Sequence, residues 1–308
     1  SQEVVEPQAG QVWFPDSAFK TATAIRDFNT GENLPLMIFA NWRGFSGGTR
    51  DMYSEVLKFG AQIVDALVDY RHPVFVYIPP AGELRGGSWV VIDPKINPEQ
   101  MEMYADVESR GGILEPAGII EVKFRQPQQK EMMHRLDPEL KILDSMLDSS
   151  SELNAISGDV ESKIAAREEK LLPLYAQIAS EFADLHDRSG RMEAKGVIRG
   201  SLEWRRAREF FCWRVRRRLL EQELATRIRA ADASLTAEDA KALLARWTAC
   251  GAGDDKAAVA ALGAARLEGE LEALRAEALK REIRRLSDEL SGIGGSAAEA
   301  CGGPLLAC

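Results

Sequence analysis

A chain of 308 residues with 45% hydrophobic and 28% charged side chains has the composition expected of a soluble globular protein with a sizeable core. Its 39 basic and 48 acidic residues leave a net charge of −9, which excludes a nucleic-acid binder that relies on overall positive potential. No apolar stretch reaches membrane-spanning length, and Cys212, Cys250, Cys301 and Cys308 form neither a CxxC pair nor a secreted disulfide framework, so a reducing compartment is expected.

The opening SQEVVEPQAG has no methionine, no apolar signal core and no Arg-rich transit pattern, and reads as part of something longer. Asp16 or Ser17 is suited to cap a helix carrying Phe19, Ile25 and Phe28 that stops near Asn29 to Gly31. Residues 34–40, LPLMIFA, are apolar on both faces and predict a buried, parallel strand. The loop NWRGFSGG at 41–48 follows. Thr49 then opens a helix with Met52, Val56, Phe59, Ile63 and Leu67 spaced by three or four. The unit repeats: residues 73–79, PVFVYIP, are a second buried strand, and 81–87, AGELRGG, a second glycine-containing loop leading into 88–93, SWVVID. This alternation is the mark of an α/β domain with right-handed crossovers.

From about 127 to 187 the pattern turns helical and charged, with Leu136, Leu140, Leu143 and Leu147 on one stripe and Pro173 as a kink site. A helix over 202–226 sets Trp204, Phe210, Phe211 and Trp213 beside seven arginines between 205 and 218. Arginines interleaved with aromatics could suggest RNA, but the acidic total favours a helix whose aromatics pack and whose arginines form interface ion pairs. Residues 226–290 read as a helical extension rich in Ala, Glu, Arg and Leu, and 291–308 as a Gly/Ala-rich tail expected to stay unfolded.

Familiar catalytic groups are scarce. His72, His134 and His186 are far apart, and no HExxH, Cys/His metal spacing, GxSxG elbow or GxxxxGK[ST] phosphate loop occurs. A lone histidine such as His186 reads as a structural residue. What remains is backbone chemistry: a Gly-Gly pair between a strand and a helix lets amides approach a ligand with no Cβ in the way, an arrangement that stabilises an oxyanion. Arg43 and Arg85 beside such loops would add a fork for a carboxylate or phosphate. Spacing alone leaves turn chemistry and an oxyanion site both open.

The blocks NWRGFSGG at 41–48, YIPPAGELRGGSWVVID at 77–93, EMYAD at 102–106, FADLHDRSGRMEAKGVI at 182–198 and LEWRRAREFFCWRVRRRL at 202–219, in register behind SQEVVEPQAGQVWFPDSAFKT, resemble the carboxyltransferase of eukaryotic-type multidomain acetyl-CoA carboxylases. The resemblance covers the chain from Ser1 to about Arg218, and it is to the carboxyl-proximal of two halves. It implies a crotonase-like (ClpP/crotonase) βαβ superhelix over 1–225, with a helical excursion at about 127–187 and C-terminal helices.

The activity implied is transfer of a carboxyl group from carboxybiotin to acetyl-CoA, giving malonyl-CoA for fatty acid synthesis. This chain would supply the biotin-side wall of a site completed by the amino-proximal half of a second subunit in a homodimer. By the same resemblance Arg43 would hold the carboxylate in transfer, and the amides of Gly86 and Gly87 would stabilise charge on the ureido oxygen. Trp42, Phe45, Val56, Trp89, Val90 and Val91 would line the biotin channel, with core packing the alternative for the apolar ones. Glu115, Lys123 and Arg125 would orient polar groups or CoA phosphates. Biotin would arrive on a separate carrier domain, since no biotinyl motif occurs. ATP and a divalent metal would be needed only in an absent biotin carboxylase portion. The location implied is cytoplasmic, with the plastid stroma as the alternative. Two competing readings stay open: a crotonase-like acyl-CoA hydratase or thioesterase using Glu83, and a non-catalytic module that dimerises through its helices.

Overall fold

The computed structural model describes residues 8–149, 154–248, 254–263 and 266–300. In chain order the first elements are β1 (Val12–Trp13), α1 (Pro15–Arg26), β2 (Leu36–Phe39), β3 (Gly44–Phe45), α2 (Thr49–Tyr53), α3 (Val56–Val68), β4 (Val74–Ile78), β5 (Glu83–Arg85) and α4 (Gly86–Val91). There follow β6 (Met101–Asp106), β7 (Arg110–Gly112), α5 (Pro116–Lys123), α6 (Gln126–Leu136), α7 (Pro138–Ser149), α8 (Asn154–Asp187), α9 (Ser189–Ala194) and β8 (Gly200–Leu202). The last elements are α10 (Trp204–Ala231), α11 (Ala237–Trp247), α12 (Asp255–Leu262) and α13 (Arg266–Ala300). The chain divides into two compact units, residues 1–206 and 207–308.

In the first unit a four-stranded parallel sheet runs in the order β2-β4-β6-β8. Its centre is β4, where Val74, Phe75, Val76, Tyr77 and Ile78 are all fully buried. Burial on both faces is what an uninterrupted apolar run requires. The equally apolar β2 takes the edge, so Phe39 remains 54% exposed and packs edge-on against Tyr77 and Trp204. The expectation of full burial therefore holds for the second strand and is corrected for the first.

A smaller parallel layer lies beside this sheet. β1 pairs with β3, β5 pairs with β7, and a bridge from Trp42 to Leu84 joins the two pairs. Residues 83–85, expected as loop, are thus a short strand held by Trp42 N–H to Glu83 O (2.8 Å) and Arg85 N–H to Trp42 O (2.9 Å). Trp13, Ile63, Leu67, Leu84, Trp89 and Met103 belong to one continuous core filling the space between helices and strands.

The first helix begins at Pro15, before the expected cap, and Ser17 Oγ accepts from the Phe14 N–H at its start. The helix expected from Thr49 to Leu67 is broken in two, because Glu55 sits at φ +63° and ends the first turn. In the helical excursion Met133, Leu140, Leu143, Val160 and Tyr175 form a separate core. Leu136, expected on that stripe, is 54% exposed because α6 ends at it and α7 restarts with a new phase. Pro173 lies inside α8, which continues to Asp187.

In the second unit Leu224, Ile228, Ala240, Leu244, Leu262 and Leu267 pack as its own core. The helical arginines form ion pairs there, Arg214 and Arg217 both with Asp255, and Arg216 lies over the Trp213 ring. The tail expectation differs from the structure as far as Ala300: α13 carries on to that residue, although Gly292, Gly294 and Gly295 within it disfavour a helix. Residues 301–308 lie outside the described residues. Among the described residues no helix is long and apolar enough to cross a membrane.

Candidate active site

The small parallel layer builds a corner from three stretches of chain. Side chains alternate along β5, so Leu84 enters the core while Glu83 and Arg85 project to the other side. Arg85 is followed at once by Gly86, whose φ of +55° is the left-handed conformation that glycine adopts without a Cβ penalty. The Gly86 N–H donates to Ile113 O at 3.1 Å. A Cβ on Gly86 would lie 3.3 Å from the Arg43 carbonyl oxygen, so any side chain here would press on the Arg43 loop. Gly87 is exposed, and its amide is among those that helix geometry leaves without an intrahelical acceptor. A Cβ on Gly87 would lie 3.0 Å from the Phe45 ring.

A chain of alternating charges runs behind this corner. Arg43 Nε pairs with Glu83 Oε1 at 2.9 Å, and Arg43 Nη2 with Glu115 Oε2 at 3.0 Å. The other Glu83 oxygen accepts from Arg85 Nε at 2.5 Å. Arg85 Nη1 in turn donates to Asp187 Oδ2 at 2.7 Å and to Leu114 O at 3.1 Å. Arg85 and Asp187 are both buried. Burial pushes the Asp187 carboxyl upward in pKa, against the pull of Arg85. On Arg85 burial works against the charge, but the hydrogen bonds to Glu83 and Asp187 outweigh it and hold the guanidinium charged.

The structure brings Trp42, Arg43, Phe45, Gly86, Gly87 and Glu115 together. Trp42 stacks on Trp13 with centroids 4.5 Å apart, and Phe45 packs against Gly60 and Gly87. Val56, Trp89 and Val91 are buried, and the Trp89 indole N–H donates to Asp93. Val90 is exposed. Lys123, the last residue of α5, and Arg125, two residues past it, are exposed. Glu115 caps the near end, and helix rise sets Lys123 about 12 Å further along. Arg85, considered as a second open fork, is instead closed by its three internal acceptors.

Asp187 was the group that sequence reasoning passed over. Attention falls naturally on its neighbour His186, whose Nδ1 lies 2.8 Å from the Phe182 carbonyl of its own helix. The sequence carried no direct signal for it, because the need for a counter-charge follows only once 83–85 is a buried strand and not the loop expected.

The family model of the carboxyl transferase domain matches residues 3–219. An acetyl-CoA carboxylase of Saccharomyces cerevisiae is 58% identical over 228 residues, 74% of this chain and 10% of that protein. A mitochondrial acetyl-CoA carboxylase of the same species is 59% identical, and one of Cryptosporiopsis sp. 57% identical, each with the same coverage. The chain thus spans about a tenth of the length of the curated relatives it matches. Among solved structures it is similar to the β subunit of P. aeruginosa geranyl-CoA carboxylase, with a TM-score of 0.44 at 18% identity over 66% of this chain and 32% of that one. The transcarboxylase 12S structure gives a TM-score of 0.41 at 14% identity, over 62% and 28%. One expectation is corrected by these comparisons: relatives at 59% identity are named as mitochondrial, which overturns the cytoplasmic location.

Proposed function

Because the chain belongs to the carboxyl transferase domain family, we propose that it supplies one wall of an acetyl-CoA carboxyltransferase site, with residues 1–225 serving the reaction and the helices beyond as an extension. The observation that carries this reading is that the Arg43 backbone lies against the Gly86 turn, where a Cβ would come within 3.3 Å of the Arg43 carbonyl oxygen, and that the next residue, Gly87, is exposed and free of a Cβ. A carboxylated biotin, brought by a carrier domain, would supply the carboxyl group and, in its ureido nitrogen, a base for the acetyl methyl proton, with Arg43 and Gly87 as the residues of this chain that would hold it.

This chain's own residues then have three tasks. Arg43 offers a planar fork of donors to the carboxylate, which favours its retention while the bond to nitrogen breaks and the bond to the methyl carbon forms. Gly87 offers a backbone N–H to a ureido oxygen as negative charge develops, a preorganised dipole that needs no reorientation. The Gly86 amide, engaged by Ile113 O, fixes the turn and is not itself the donor in this reading, which narrows the donor pair to Gly87. Trp42, Phe45 and Val90 border the approach, and Glu115, Lys123 and Arg125 face outward toward the second subunit. Acetyl-CoA, the carrier domain and the amino-proximal half of a partner subunit complete the assembly.

The hydratase reading loses its support at Glu83. Both of its oxygens are engaged by guanidinium groups, Oε1 by Arg43 and Oε2 by Arg85, which leaves neither oxygen open to an acyl group. The test is to mix this chain with an amino-proximal carboxyltransferase half and follow carboxyl transfer from malonyl-CoA to free biotin. The proposal expects turnover in the mixture and none from either part alone. Hydration of an enoyl-CoA by this chain alone would replace it with the hydratase reading.

A further inference from the structure

The two carboxylates on Arg43 are held very differently. Glu83 uses both oxygens, and the Arg85 that grips its second oxygen is buried and anchored to Asp187 and to the Leu114 carbonyl. Glu115 sits at the N-cap of α5 with its side chain 48% exposed, and among the described residues its ion pair is with Arg43 through one oxygen. The Arg43 side chain is itself 44% exposed, and Glu115 takes its outer Nη2.

A guanidinium has a limited set of coplanar donors. With Nε committed to Glu83, the Nη edge is what remains for a ligand carboxylate, and Glu115 already occupies part of it. Building on the reading of Arg43 as the holder of the transferred carboxylate, we propose that Glu115 is a displaceable internal carboxylate that occupies Arg43 until a ligand carboxylate takes its place, while Glu83 is the fixed positioning residue that keeps the guanidinium aimed during the exchange. Glu115 thereby sets the affinity for carboxylated ligands. Ligand affinity is lowered by the fraction of molecules in which the fork is taken. Half-exposed ion pairs are weak, which suits a group that must be released in every cycle.

The assay uses malonyl-CoA with this chain and an amino-proximal carboxyltransferase half. Glu115→Gln should lower KM for malonyl-CoA by about two- to fivefold, the range that loss of a weak competing ion pair allows. Glu83→Gln should act on kcat instead, reducing it by about tenfold or more through misorientation of Arg43. A KM that rises or stays unchanged in Glu115→Gln overturns the displacement idea while wild-type turnover leaves the carboxyltransferase reading intact. An inactive wild-type mixture counts against that reading. In that case sodium malonate titrated into this chain alone, followed at the Arg43 Nε–H resonance, decides the matter: tighter binding by Glu115→Gln supports displacement, and equal affinities overturn it. If Glu83→Gln does not fold, the Glu115→Gln comparison stands by itself.

Discussion

Arg85 and Asp187 meet through a 2.7 Å hydrogen bond with both side chains out of reach of water, joining β5 to the last residue of α8 across more than a hundred positions of sequence. The position of Arg43 depends on this pair, because Arg85 is what immobilises Glu83. Asp187→Asn removes the charge and leaves a buried guanidinium undercompensated. A loss of roughly 3 kcal/mol of unfolding free energy is expected, in the range for breaking a buried pair from one side. Urea unfolding at neutral pH checks it, and an unchanged midpoint would mean that the pair contributes nothing.

Gly86 offers a sharper probe of the corner itself. Gly86→Ala imposes a Cβ on a left-handed residue and sets it 3.3 Å from the Arg43 carbonyl oxygen. The expected cost is about 1–2 kcal/mol of stability, together with a displaced Arg43 loop. Gly48→Ala, in the other diglycine, is the control: its Cβ would meet nothing closer than 3.6 Å, at an Asp51 carboxylate oxygen, and its φ is −65°. If the two variants unfold at the same denaturant concentration, the special standing of Gly86 is refuted.

The helical excursion carries a pH dependence of its own. His134 lies with Nε2 3.0 Å from Glu168 and Nδ1 2.8 Å from Asp144, tying α6 to α8 and α7, and Lys130 shares Glu168. The hydrogen bond to Glu168, followed by that to Asp144, raises the His134 pKa even though burial opposes it. A raised folded-state pKa means that this contribution is complete below the unfolded value of about 6.5 and is lost as pH rises through the higher folded value. Stability measured by urea from pH 6 to pH 9 should fall over that window, and His134→Gln should flatten the fall. A wild-type profile as flat as the variant's would rule the contribution out.

Much of the first unit was readable because its strands obey simple rules. PVFVYIP became the fully buried β4, and LPLMIFA became β2, though sequence alone could not say which of two apolar runs takes the edge. β6 is harder to see, since Glu102 and Asp106 interrupt its apolar run. Both are buried and partnered, Glu102 by Arg199 and the Tyr104 hydroxyl, Asp106 by the Tyr77 hydroxyl. The break at Glu55 is invisible in the spacing from Met52 to Leu67, because it lies in one backbone angle. At the site, Arg43 and the diglycine were legible as residues. Their relation was not, because it depends on the Trp42–Leu84 bridge and on Asp187, contacts that arise only when distant segments pack.

The most direct measurement is the rate of malonyl-CoA decarboxylation by this chain mixed with an amino-proximal carboxyltransferase half, comparing wild type with Arg43→Ala. Loss of a preorganised charge at the reacting carboxylate predicts a fall of about 100-fold or more, with the unfolding midpoint little changed because Arg43 is exposed. An Arg43→Ala mixture that turns over at the wild-type rate would contradict the account, since the corner between Arg43 and Gly87 would then have no part in the chemistry.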